Sequence, residues 1–168
     1  RNNRPGIHIE GTGADESAFH FGEAPFVLVC VFSERGVNMI LPDTVLRYNW
    51  GAGMIFRRRG NAQQYFARGW SEPEENHVWT SGENSRLAFM AAEPASDIVF
   101  DLDAMPYVVR DILPKQRLNL YINFARVDCF ELERHSRLSC SVPKRLFVGG
   151  VNIVDLHLPD ARSPKDLG

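Results

Sequence analysis

Cysteine is scarce in this sequence, and so are most signals that announce a chemistry. Cys30, Cys129 and Cys140 are odd in number and lack C-x-x-C spacing, which argues against a disulfide framework or a structural zinc site. Three free thiols fit a reducing, cytoplasmic compartment. Cys30 then reads as a small buried hydrophobe within an apolar run, while Cys129 and Cys140 are the two a hairpin would set face to face. The longest apolar run, Phe26 to Phe32, is strand-sized and falls short of the ~18 residues a membrane helix needs, so no membrane span is expected here. Basic residues are not in excess: a net charge of −2 speaks against nucleic acid, whose partners carry a basic footprint. The sequence has no G-x-S-x-G elbow, P-loop or Rossmann fingerprint. No catalytic residue, metal site or cofactor is therefore assigned.

What is present points to strands. Apolar residues make up 44% of the 168 and charged residues 24%, the balance of a globular chain long enough for one domain with a sizeable core. Phe (11), Gly (13) and Pro (10) are plentiful, which suits strands and turns better than helices. Gly6 to Glu10 and Ser17 to Phe21 read as a short hairpin around Gly11–Asp15, and Phe26–Phe32 as a strand covered on both faces. Thr44 to Trp50 has strand character, and Asn61 to Ala67 is where a short helix fits best. Arg117 to Asn123 is the cleanest alternation, with Leu118, Leu120 and Ile122 on one face and Arg117, Asn119, Tyr121 and Asn123 on the other. Val127–Leu132 and Arg137–Val142 read as a pair around Glu133–Ser136, and Val151 to Leu158 as a closing strand. Nothing repeats and no linker divides the chain. Short strands with turns every ~8–12 residues predict a single antiparallel β-sandwich over 1–168, jelly-roll-like, with at most one or two short helices.

The stretch Arg68 to Gly82 carries two of the three tryptophans, Trp70 and Trp79, around an acidic, Pro-centred turn. Gly69-Trp70-Ser71-Glu72-Pro73-Glu74, with Trp79, Ser81-Gly82 and Leu87, resembles a β-sandwich domain of bacterial surface-polysaccharide proteins, where it accompanies glycosyltransferases and related membrane proteins. Gln116 to Asn123, the strand from Val151 to Leu158 and the tail Pro159 to Gly168 fit the same pattern, so the resemblance covers about residues 65–168. One departure stands out: the family has Asn-Gly after the central strand, and this chain has Asn123-Phe124. The resemblance implies a non-catalytic accessory role in polysaccharide biosynthesis. Its partners would be a glycan and the catalytic domain of a parent protein, through which membrane association would come. Opening at Arg1 without Met, the chain reads as a fragment of that larger protein.

Residue chemistry names a candidate ligand-binding set. Trp79, Trp70 and Trp50, with Tyr121, offer flat apolar faces to sugar rings. Arg117, Asn119, Asn123 and Glu72 offer donors and acceptors to hydroxyls. Trp70 suits a plug at one end of the sandwich better than a sugar platform. Glu72, Glu74 and Glu75 form an acidic loop with no D-x-D-x-D-G calcium pattern, and Arg57–Arg59 reads as a solvated strand edge. Two alternatives stand beside the glycan reading. One is a metal-dependent, cupin-like enzyme using His8, His20 and Glu23. The other is a structural module packing Phe26–Phe32 and the Trp loop against a neighbouring domain or a second copy of the chain.

Overall fold

The computed structural model describes residues 7–10, as strand backbone, and 44–162. These form nine strands: β1 (Ile7–Glu10), β2 (Phe66–Arg68), β3 (His77–Trp79), β4 (Asn84–Ala91), β5 (Ile98–Pro106), β6 (Gln116–Ile122), β7 (Ala125–Leu132), β8 (Ser136–Val142) and β9 (Gly150–His157). Two single-turn 3-10 helices, Ala62–Tyr65 and Lys144–Leu146, are the helical segments among the described residues. The expected helix at 61–67 shrinks to the first of these. Four residues cannot repay helix nucleation, and Phe66 already belongs to β2. No helix of the described residues is long and apolar enough to cross a membrane.

The strands make two antiparallel sheets, in the orders β3-β1-β5-β8 and β2-β4-β9-β6-β7. Period-2 alternation aims one side of each strand inward. From the five-stranded sheet come Leu87 and Phe89 on β4, Leu118, Leu120 and Ile122 on β6, Leu132 on β7, and Val154 and Leu156 on β9. From the other come Val78, Leu102, Ala104, Leu138 and Val142, all in the same cluster. The chain is therefore an all-β sandwich with its core between the sheets. The expected faces of the 117–122 strand hold: Leu118, Leu120 and Ile122 are fully buried, each stabilising the fold by about 1.5–3 kcal/mol.

The structure departs from the sequence reading in several places. β7 and β8 do not pair with each other: β7 lies against β6 and β8 against β5, in opposite sheets. The polar segment between them arches from sheet to sheet, so Leu132 and Leu138 enter the core from opposite sides, and Cys129 and Cys140 remain free thiols. β1 has both edges taken, by β3 and by β5, so it is an inner strand; its expected hairpin partner, 17–21, lies outside the described residues. Arg57–Arg59 sits in a turn, closed by Gly60 N–H donating to the Arg57 carbonyl, and not on a strand edge. The runs 11–43 and 163–168, with Cys30 and Phe26–Phe32, lie outside the described residues.

Candidate functional site

The Trp loop connects the sheets, leaving β2 in one and entering β3 in the other. Its base depends on Gly69, whose φ of +73° is left-handed and whose Cβ, if present, would lie 1.9 Å from the Asn84 carbonyl oxygen. Only glycine fits there. Above it the strands of the loop bridge at Trp70 and Thr80. Ser71 N–H donates to the Trp79 carbonyl (2.9 Å), and the Ser71 hydroxyl accepts from Trp79 N–H (3.0 Å). At the acidic tip, Glu74 lies 3.2 Å from His77 Nε2, and the exposed Glu75 lies 3.9 Å from Arg58. Among the described residues no three His, Cys, Asp or Glu side chains could hold one metal ion.

Trp70 stacks on Phe66 (4.7 Å between centroids, 14° between planes) and packs on Phe56 (5.3 Å). Its indole N–H donates to the Arg86 carbonyl at 2.8 Å. Phe66 and Phe56 are themselves 5.8 Å apart, so both pack toward one side of the indole, which is half-buried with its polar handle engaged. Glu72 is exposed on a shallow, open groove of about 300 Å³ with Phe66, Arg68, Trp70 and Pro73. Trp50 packs edge-on against Phe147 (4.7 Å), Tyr48 (5.7 Å) and Phe89 (6.0 Å), and its N–H donates to the Ala92 carbonyl (2.6 Å). In that cluster, burial pushes the Tyr48 hydroxyl up to about 12. Trp79 is half-buried and lies edge-on to His77 at 5.4 Å. Both alternate with the core residue Val78 and so face outward from the four-stranded sheet.

The second half of the candidate set lies on the other sheet. Tyr121 and Asn119 alternate with core leucines and face outward from the five-stranded sheet, so Trp79 and Tyr121 lie on opposite faces of the sandwich. The expected platform of Tyr121 beside the Trp loop is thus split. Neighbouring strands supply other company: Tyr121 is opposite Asp155, and Asn119 opposite His157. Asn119 Nδ2 is 3.3 Å from His157 Nδ1. An amide N–H can only donate, so this contact asks for the imidazole proton on Nε2. On β4, Arg86 faces Asp155 and grips it with two bonds, Nε to Oδ1 at 2.7 Å and Nη2 to Oδ2 at 2.8 Å. Arg86 is only 2% exposed, and its Nη1 is buried without a hydrogen-bond partner. Arg117, at the rim, is held by Asp160, with Nη2–Oδ1 at 2.6 Å and with Nε and the backbone N–H both 2.9 Å from Oδ2. These contacts hold the Asp160 carboxyl below the usual range.

Asn123 does not share that face, because β6 ends at Ile122 and Asn123 has φ +47°. Its Oδ1 accepts from Ile153 N–H (2.8 Å), and its Nδ2 donates to the Leu146 carbonyl (2.8 Å) and to Asn152 Oδ1 (2.9 Å). Asn152, fully buried, also binds Val148 N–H and the carbonyls of Val148 and Gly150. Both side chains therefore clamp the 146–150 loop. With Phe124 at φ +71°, the two residues make a tight hairpin turn between β6 and β7. Both central residues are left-handed, the geometry Asn-Gly adopts with least strain. Phenylalanine there costs about 1–2 kcal/mol. Its ring is 58% exposed and lies over the Arg86 guanidinium, 5.5 Å from centroid to Cζ, a contact worth about 0.5–1 kcal/mol.

The sequence reading missed Arg86, Asp155, His157 and Phe124. Extending the period-2 rule to β9 would have found Asp155 and His157, which alternate with Val154 and Leu156. Phe124 was visible as the departure from Asn-Gly. Of the cupin-like set, His20 and Glu23 lie outside the described residues, and His8 is described as backbone alone, opposite Trp79. Comparison with known proteins finds no matching family model, no matching curated protein and no matching solved structure.

Proposed function

We propose that this chain is a non-catalytic accessory domain of a bacterial surface-polysaccharide protein that holds or positions a glycan for a partner catalytic domain. The observation that carries the reading is the outer face of the five-stranded sheet. There Asn119 and Tyr121 on β6 stand in register with His157 and Asp155 on β9. An amide, an imidazole and a carboxylate beside a phenol ring suit sugar hydroxyls and C–H faces together. The resemblance of the Gly69–Leu87, Gln116–Asn123 and Val151–Leu158 stretches supplies the biological context. Asn119 is buried and Tyr121 and His157 are half-buried, so the surface offered to a ligand is small, and binding there is weak because each hydrogen bond replaces one to water and gains little.

A glycan array followed by NMR titration of the best hit tests this. Shifts should centre on Asn119, Tyr121 and His157, and Tyr121→Ala should abolish them. Trp79→Ala, on the opposite face, should leave them in place. Shifts that centre on Trp79 would move the site to the four-stranded sheet, and silence across the array would sink the reading.

A further inference from the structure

We propose that Phe124 is the stacking platform of this face, receiving the C–H face of a pyranose ring. The proposal rests on the glycan reading above and names the residue that would give that weak site its apolar contact. Three observations converge on it. The ring stands at a left-handed turn position, φ +71°, where glycine would relieve the strain. Being 58% exposed, it is not held there by the core. Its underside rests on the Arg86 guanidinium, which is 2% exposed and locked to Asp155 by two hydrogen bonds.

Arg86 cannot swing away without breaking that grip. The cation–π contact therefore favours one orientation of the ring before any ligand arrives, which reduces the rotamer freedom lost on binding. The hydrogen-bonding fringe is already in place. Asp155 and Tyr121 form one rung of the ladder, and His157 and Asn119 lie two residues along, about 7 Å away. A sugar stacked on Phe124 can turn its hydroxyls toward the nearer rung and extend a glycosidic chain toward the farther one. A purely internal role is the competing account: the ring would serve only to shield the Arg86–Asp155 pair from water.

Phe124→Leu separates the two, since leucine keeps an apolar cover and the same backbone strain but has no flat ring. Saturation-transfer NMR would use methyl β-glucopyranoside, methyl N-acetyl-β-glucosaminide and methyl β-glucuronide, with thermal melting of each variant alongside. Phe124→Leu should melt like the parent and bind the best of these sugars at least about tenfold more weakly, whereas Phe124→Tyr should bind like the parent. Undiminished transfer to Phe124→Leu would overturn the platform while leaving the glycan reading intact. Failure of the parent to bind any of the three sugars, or anything on the array, would overturn both.

Discussion

The Trp loop and the Asn123–Phe124 turn treat aromatic side chains in opposite ways. In the loop, Trp70 packs on Phe66 and Phe56 and its indole N–H is satisfied by a backbone carbonyl. At the turn, Phe124 stands open to solvent on a backbone that disfavours it. The two regions meet at one residue. Arg86 lends its carbonyl to Trp70 and its guanidinium to Asp155, beneath the Phe124 ring. An aromatic that packs on neighbouring rings and bonds a backbone carbonyl through its N–H is part of the scaffold. One that is strained and exposed is not explained by core packing, and the proposed ligand contact would account for it. The conspicuous tryptophan therefore stabilises, and the inconspicuous phenylalanine is the better functional candidate.

The largest effect expected is at the residue beneath the turn. Asp155→Ala leaves the Arg86 guanidinium buried and uncompensated, which should destabilise the fold by about 4 kcal/mol and lower the melting temperature by roughly 10 °C. Arg86→Met with Asp155→Leu should recover most of that loss, because removing both charges removes the desolvation problem. A double variant that melts as low as Asp155→Ala alone would show that the ion pair is not what supports this region.

On the loop side, Trp70→Ala should cost about 3 kcal/mol by opening the Phe56–Phe66 stack, and Trp70→Phe about 1–2 kcal/mol for the lost bond to Arg86. Urea midpoints measure both. A Trp70→Ala protein as stable as the parent would erase the contrast between scaffold aromatic and functional aromatic.

The smallest effect lies at the exposed rim. Arg117 depresses the Asp160 carboxyl, chiefly through its side-chain hydrogen bonds. The folded protein thus holds that proton less tightly than the unfolded chain, and the contribution is present above the unfolded value of about 3.9. It is lost as pH falls through the depressed value in the folded state. Arg117→Ala should flatten the acid limb of the stability curve below about pH 4 and leave it unchanged at neutral pH apart from a small offset. An identical acid limb in the variant would show that the pair makes no difference to folding.

Much of this architecture was legible beforehand because it rests on local rules. The alternation of Leu118, Leu120 and Ile122 with Arg117, Asn119 and Tyr121 set the faces of β6 by geometry alone, since a strand's side chains point to opposite sides in turn. Gly69 and Pro73 marked the loop, and the density of strands and turns marked an all-β sandwich. Sequence also flagged the Asn123-Phe124 turn as a departure, without saying what the departure was for.

Tertiary structure decided the partners. Period 2 says which residues share a face but not which sheet the strand joins, and so β7 and β8 read as a hairpin while lying in opposite sheets. The same rule put Asn123 on the face of Tyr121, until the turn rotated it toward Asn152, 29 residues away in sequence. Asp155 reaches Arg86 across 69 residues, and Tyr121 and Trp79 end on opposite sides of the molecule. Each of these depends on long-range pairing of backbones, whose register is set by the whole hydrophobic core and not by any local run of residues.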